Sequence, residues 1–212
     1  MTRVSVQRQH ALGGSAVSVA VFGLTALAVG VLLATRGVSA ETLGLTLRGT
    51  ARLSFSLFVV VFSAGALARL GLGSWPLVNR RHLGLAFGGV HLIHGGLVLT
   101  LAASVHDGDL TRLSPGWQLV GGALVYGLIL ALMLTSTDRA VERLGVDRWR
   151  RRHRFGGWPI SLVFLGACEV SPSEAGLAYA IPLMVLAVAL ALRFVSRATT
   201  PAAGPGERPE EA

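Results

Sequence analysis

Three histidines in one apolar stretch are the residues best suited to chemistry. His82, His91 and His94 lie in RRHLGLAFGGVHLIHGGL, residues 80–97. If this stretch is a membrane-spanning helix, His94 lies about 18 Å beyond His82, past the middle of a hydrocarbon core about 30 Å thick. His91 and His94 differ by about 60° around the helix, so they share a face. Ionisable groups inside a bilayer are usually functional, and neutral imidazole is a common metal ligand, so we expect ligand or proton-relay roles here.

Glycines surround this histidine pair. Gly88, Gly89, Gly95 and Gly96 flank the two imidazoles in sequence. We expect them to clear volume beside the rings, enough for a large, flat group. Gly84 and Gly88 also form a small-xxx-small pair, which close packing of helices explains.

The remaining candidate residues are more weakly indicated. His153, in RWRRRHRFGGW, is by composition a polar residue at a membrane interface, and His10 and His106 fall in terminal or loop positions. The single cysteine, Cys168, excludes an intramolecular disulfide and a CxxC site, and a buried thiol is most often a small hydrophobe. No GxGxxG, P-loop or HExxH pattern occurs, so any redox function takes its electrons from a partner or from the quinone pool.

Composition places the histidines in a membrane protein. The chain has 212 residues of which 14% are charged, whereas a soluble domain has roughly 25%. The net charge of +8 comes from 19 basic residues, all arginine. They cluster between apolar runs instead of forming one basic face, which indicates a lipid bilayer as the partner and excludes nucleic acid.

Six apolar runs are long enough, or nearly so, to span a bilayer. A spanning helix needs about 20 largely apolar residues. The sequence therefore predicts an all-α, polytopic bundle of about six transmembrane helices over residues 14–198. The first run is too long for a signal h-region and is interpreted as a retained span. The predicted spans are 14–34, 51–72, 82–104, 117–136, 154–170 and 176–195.

The arginines also predict the orientation. With the N-terminus inside, fifteen arginines fall in inner segments and four fall outside, namely Arg36, Arg48, Arg52 and Arg112. The positive-inside rule then predicts that both termini are cytoplasmic. Residues 1–13 form a cytoplasmic N-terminus, and the Pro/Gly/Glu-rich residues 199–212 form a disordered cytoplasmic tail.

Three stretches together resemble the ferric-reductase-like transmembrane domain superfamily. They are RGTARLSFSLFVVVFSAGALARL (48–70), RRHLGLAFGGVHLIHGGL (80–97) and LALMLTSTDRAVERLGVDRWRRRHRFGGW (130–158). The match covers about residues 48–170, and its TS…LG…W…HR block is the most specific part. Bacterial members of this superfamily include the haem-binding membrane subunit of the methionine sulfoxide reductase system.

The resemblance implies a six-helix domain of the bacterial cytoplasmic membrane that holds haem b between two helices by paired histidines. It implies electron transfer from an inner donor, such as a flavoprotein reductase or the quinone pool, to a periplasmic acceptor. His94 matches the deep histidine of the family, and His153 matches the histidine of its LHR motif. His82 falls where other members have an inner-side histidine. The arginines that could pair with haem propionates are Arg80, Arg81, Arg151, Arg152 and Arg154, although the positive-inside rule accounts for most of them.

One departure from the family pattern concerns the fifth span. The family has a second histidine about 13 residues after the LHR histidine, and here that position is Gly166. Its neighbours do not restore a histidine, so His94 lacks the expected ligand on the facing helix. Those neighbours are Ala167, Cys168 and Glu169.

Three arrangements stay open at this point. His82 and His153 could hold an inner haem; His94 could hold a deeper haem with His91, Cys168 or an open axial position; or haem could have been lost. The resemblance thus implies a haem-b electron-transfer membrane protein with one or two haems. The alternative is a haem-free family member that serves as a membrane scaffold or partner subunit. A small transporter is a weaker third reading, because no charged residue falls in the middle of a predicted span.

Overall fold

The structure, a computed structural model, is built of α-helices. It describes residues 3–168 and 177–198, with side chains over 15–166 and 181–195. A short 3-10 turn, Leu110–Arg112, lies between the fourth and fifth helices. The helices are α1 (Arg3–Arg36), α2 (Ala40–Arg69), α3 (Trp75–Val78), α4 (Arg80–Val105), α5 (Gly116–Leu134), α6 (Asp138–Leu144), α7 (Val146–Cys168) and α8 (Leu177–Ala198).

Four of these helices are long and apolar enough to cross a membrane. They are α1 over Ser15–Arg36, and α2, α4 and α5 over their full lengths. Large apolar side chains project outward from them, such as Leu24 and Leu124, which are 66% and 71% exposed. An exposed apolar surface of this kind is stable in lipid, where only the backbone polar groups must be satisfied internally. The chain is therefore a membrane protein.

The fifth and sixth predicted spans correspond to α7 and α8, and neither qualifies by length and composition within the described residues. The first third of α7 is rich in arginine, and Val146 begins it eight residues before the predicted start at 154. In α8 the side chains are described over Ile181–Val195, which is shorter than a span. The predicted tail, 199–212, lies outside the described residues.

The prediction that α2 begins at residue 51 was wrong, because the helix begins eleven residues earlier, at Ala40. Ser39 caps it: its backbone is extended, and its side-chain oxygen accepts a hydrogen bond from the backbone N–H of Thr42. Gly37, at φ +73°, allows the sharp turn that separates α2 from α1. Arg48, which was assigned to an outer loop, consequently lies inside α2 with its side chain exposed.

α2 lies at the centre of the packing. It contacts α1, α3, α4 and α8, while α5 packs between α4 and α7. The core is formed largely by aromatic and aliphatic side chains of α2, α4, α5, α7 and α8. Its buried members are Phe58, Phe62, Phe87, Val125, Ile129, Ile160, Leu186 and Ala189.

The glycines of α4 allow close helix packing, and for three of them the predicted clearance for a flat group was wrong. A Cβ on Gly95 would lie 2.8 Å from the Tyr126 ring, and one on Gly89 would lie 2.7 Å from the Phe22 ring. At Gly88 a Cβ would meet the Met133 side chain. Gly96 alone of the four has no heavy atom within 4 Å of that position. Side chains of α1 and α5 therefore fill the space that these glycines open.

This packing predicts opposite effects for two neighbouring substitutions. Gly95→Ala places a methyl group against the rigid Tyr126 ring, and overpacking of this kind costs about 1–3 kcal/mol. Gly96→Ala, the matched control, meets no neighbour and gains the helix preference of alanine, about 0.5–1 kcal/mol. We expect the thermal unfolding midpoint in detergent to fall for Gly95→Ala only. Equal midpoints for the two variants would contradict the packing of α4 on α5.

Candidate functional site

A cavity of about 420 Å³ lies between α2, α4, α5 and α7, at the end where α4 begins. It is named the His153 cavity after the histidine in its wall. Its floor is apolar and its rim is basic. The apolar lining includes Phe58, Phe62, Phe87, Ile129, Leu132, Met133 and Ile160, and the polar lining includes Arg80, Arg81, Ser136, Arg150, His153 and Arg154.

His153 is held in the cavity wall by hydrogen bonds to two helices. Its Nδ1 lies 3.1 Å from the carbonyl oxygen of Trp149, one turn earlier on α7. Its Nε2 lies 3.2 Å from the Ser136 hydroxyl, which also donates to the carbonyl of Leu132 at 2.7 Å. The Trp149 ring packs against the imidazole at 4.4 Å and donates its indole N–H to the carbonyl of Thr135. Burial lowers the pKa of His153, which lies before the predicted fifth span, and so favours the neutral imidazole.

Four arginines line the cavity together with His153. Arg80 and Arg81 come from the first turn of α4, and Arg150 and Arg154 come from α7. Arg81 forms an ion pair with Asp138. Its Nε is nevertheless buried with no hydrogen-bond partner among the described residues, so an acceptor on a bound group would satisfy it. The cavity is thus suited to a ligand with anionic groups.

Of the arginines on α7, Arg150 and Arg154 line the cavity and Arg151 does not. Arg150 was not singled out from the sequence. The sequence carries the signal for Arg150, because this residue recurs at helical spacing with His153, Arg154 and Gly157. The four residues therefore share one face of α7.

His82 lies on the opposite side of α4. It is about 200° around the helix from Arg80 and on the same face as Gly89, which packs against α1. Ser18 of α1 donates a hydrogen bond of 2.7 Å to the carbonyl of His82. His82 is not among the residues that line the His153 cavity, so the structure does not bring His82 and His153 together.

The two deeper histidines are hydrogen-bonded to hydroxyl groups of α2. His94 Nδ1 lies 3.0 Å from the Thr50 hydroxyl, and His91 Nδ1 lies 2.9 Å from the Ser54 hydroxyl. Thr50 also lies 2.8 Å from the Thr46 carbonyl, which can only accept. If the Thr50 hydroxyl donates its proton to the Thr46 carbonyl, it accepts a hydrogen bond from Nδ1–H of His94. The lone pair of the His94 imidazole is then on Nε2.

Aromatic rings occupy the space around His91. Its ring lies 4.8 Å from Tyr126 of α5, 5.6 Å from Phe87 and 5.8 Å from Phe164 of α7. Phe164 follows His153 by eleven residues, about three turns, so both are on one face of α7. The α7 residue that faces His91 is therefore a phenylalanine, which has no lone pair for a metal.

The expected ligand position, Gly166, also supplies none. A Cβ there would meet no heavy atom within 4 Å, so the position is open as well as unable to bind iron. The side chain of Cys168 lies outside the described residues. Among the described residues, no group of three or more histidine, cysteine, aspartate or glutamate side chains could hold a metal ion.

The residues present fit haem at one of the two expected depths. At the His153 cavity they supply an imidazole, guanidinium groups and an apolar wall of phenylalanines, which are the groups that contact iron, propionates and a porphyrin face. Neither level has a facing histidine among the described residues, and the difference between them is space, because rings of α5 and α7 occupy it beside His91.

Comparisons with family models, with curated proteins and with solved structures found no match for this chain.

The pairing of α4 with α2 predicts a stability effect at Ser54. Ser54→Ala removes the hydroxyl that is hydrogen-bonded to His91 Nδ1, and a lost interhelical bond in a membrane costs about 0.6–2 kcal/mol. Ser56→Ala is the matched control, because Ser56 is exposed and bonds the carbonyl of Arg52 on its own helix. We expect a lower unfolding midpoint for Ser54→Ala than for Ser56→Ala. In a His91→Phe background, Ser54→Ala should have little further effect, and an undiminished effect there would contradict the pairing.

Proposed function

We propose that this chain is an integral membrane protein that binds haem b and transfers electrons, with one haem in the His153 cavity. The observation that carries the proposal is the convergence of an imidazole, four arginines and an apolar wall on one cavity of about 420 Å³. Ligand pockets typically measure about 300–1,000 Å³, so the volume is of the right order. Haem iron, when bound, supplies one-electron redox chemistry at a potential set by its axial ligands and surroundings.

His153 is the proposed iron ligand. Its Nδ1–H bonds the Trp149 carbonyl, which fixes the tautomer and leaves Nε2 as the ligand atom, an arrangement common to metal-binding histidines. Ser136, which now contacts Nε2, would turn its hydroxyl fully to the Leu132 carbonyl. The neutral imidazole that burial favours is the form that binds a metal.

The arginines are the proposed propionate ligands. Arg80, Arg150 and Arg154 line the rim, and the buried Nε of Arg81 lacks an acceptor among the described residues. Guanidinium groups bind carboxylates with two parallel hydrogen bonds, which orients as well as binds them. Phe58 and Phe87 would exclude water from the apolar end of the cavity.

We further propose six transmembrane helices in a bacterial cytoplasmic membrane, with both termini and the His153 cavity on the inner side. The excess of arginine at this end supports the orientation. A flavoprotein reductase or the quinone pool would then be the donor, and a periplasmic protein the final acceptor. Since rings of α5 and α7 occupy the space beside His91, the proposal places no haem at that depth.

A haem-free scaffold or partner subunit is the second candidate. Two observations favour it: Ser136 engages Nε2 of His153, and Phe164 occupies the α7 position opposite His91. In this case the cavity would bind another amphipathic anion instead of haem.

Absorption spectra test the proposal. We expect the protein purified in detergent, after expression with haem supply, to show a Soret band and, after dithionite, a sharp α-band. His153→Ala should abolish both, because it removes the proposed ligand in the cavity wall. His82→Ala, the matched control on the opposite face of α4, should leave both unchanged.

Three outcomes of this experiment contradict the proposal. Absence of the bands in the unmodified protein would favour the haem-free alternative. Loss of the bands in His82→Ala, or their survival in His153→Ala, would place the haem elsewhere.

Cysteine labelling tests the orientation. In a Cys168→Ala background, Arg112→Cys and Arg143→Cys replace two exposed arginines, one before α5 and one in α6. We expect a membrane-impermeant maleimide to label the first in intact cells and the second only after permeabilisation. The reverse pattern, or labelling of both from one side, would contradict the proposed topology.

A further inference from the structure

A second opening adjoins the His153 cavity, between α2, α7 and α8. It has a volume of about 900 Å³ and is named the Arg193 crevice. Four arginines line it, and two aromatic residues of α7 form part of its wall. These residues are Arg69, Arg80, Arg154, Arg193, Phe155 and Trp158.

The lining of this crevice is strongly positive. Four guanidinium groups line it among the described residues. Arg80 and Arg154 lie close enough to repel each other. A shared anion would turn this repulsion into attraction, because each guanidinium presents a fork of donors that matches phosphate oxygens.

Arg193 is held rigidly in this crevice. It is 8% exposed, its guanidinium lies 4.1 Å above the Phe62 ring and 5.3 Å from the Trp158 ring, and it donates to the carbonyl of Phe62 at 3.3 Å. The two ring faces and the carbonyl orient the guanidinium. Arg193 is thus preorganised for binding, and little side-chain entropy is lost when an anion arrives.

The crevice lies where the apolar helices end. Arg69 is the last residue of α2 and Arg80 the first of α4, and both helices are candidate membrane spans. The ends of spanning helices lie near the lipid phosphates, where tryptophans such as Trp158 are also enriched. Basic pockets between helices at this depth suit anionic lipid headgroups.

The outer surface of α8 continues from the crevice as an apolar face. The Phe194 ring lies 6.1 Å from Trp158, and Phe194, Val188 and Met184 are each more than half exposed. A lipid whose phosphate is in the crevice could lay its acyl chains along this face. Free phosphate would make no use of it.

We propose that the Arg193 crevice binds the phosphate of an anionic phospholipid, with its acyl chains against α8. Arg80 and Arg154 line both openings, whereas Arg69 and Arg193 line only the crevice. Lipid binding through Arg69 and Arg193 can therefore be tested without removing a residue of the proposed haem site.

The test measures lipid binding to the full chain in detergent by native mass spectrometry and by thermal protection. The probes are phosphatidylglycerol, phosphatidylcholine and inorganic phosphate. The variant Arg69→Gln/Arg193→Gln removes two crevice charges while leaving Arg80 and Arg154, which also line the His153 cavity. The control Arg139→Gln/Arg143→Gln removes two exposed charges from α6, away from both openings.

We expect phosphatidylglycerol to bind and protect the unmodified protein more than phosphatidylcholine does. Its affinity should fall about thirtyfold in the crevice variant and by less than about threefold in the control, since each arginine near the lipid phosphates contributes a factor of about five. Arg69→Gln alone, an exposed position at the end of α2, should lower the affinity about fivefold if the double variant does not fold.

Several results would overturn the proposal. Equal losses in the crevice variant and the control would show only general charge attraction. Equal binding of the two lipids would exclude a charge-selective site. Protection by inorganic phosphate as strong as that by phosphatidylglycerol would show an anion site that does not recognise a lipid.

Discussion

An imidazole inside a bilayer needs a hydrogen-bond partner on a neighbouring helix, and α2 supplies one for each deep histidine of α4. Ser54 meets His91 and Thr50 meets His94, one turn apart on each helix. Since neither water nor lipid can replace these partners in the hydrocarbon region, the two contacts fix the register of α4 on α2. A slide by one turn that brought His94 to Ser54 would place His91 beside Phe58, which has no hydroxyl.

The position of both openings follows from this register. With α2 and α4 aligned, the end of α2 at Arg69 and the start of α4 at Arg80 fall at the same end of the bundle. α7 brings a further basic face alongside, with His153 lining one opening and Arg154 lining both. The same face of α7 carries Phe164 to the level of His91. Polar chemistry is thus concentrated at one end of the helices, while aromatic packing fills the middle.

Much of this arrangement could be predicted from local patterns. Hydropathy placed α4 and α5 within two residues of their ends, and the RR start of α4 marked the basic end correctly. The early start of α2 was missed because it depends on the Ser39 cap and not on hydropathy. The six-span count and the cytoplasmic termini stay predictions.

The site was harder to predict, since facing residues depend on packing between distant helices. The sequence singled out His94 and noted that Gly166 cannot bind iron, but it could not show that Phe164 and Tyr126 close around the neighbouring His91. Nor could it show that the backbone carbonyl of His82 accepts a hydrogen bond from α1. Arg150 could have been predicted as a lining residue, because its helical spacing to His153 is visible in the sequence. The ferric-reductase-like resemblance stays a proposal, supported by the lining of the His153 cavity.

The stoichiometry of haem to protein tests the central claim most directly. Haem content by the pyridine haemochrome assay, divided by protein content from amino-acid analysis, gives the number of haems in each purified chain. The account predicts one, held in the His153 cavity. A ratio near two would mean that the deep histidines also hold haem despite Phe164, and a ratio near zero would contradict haem binding altogether.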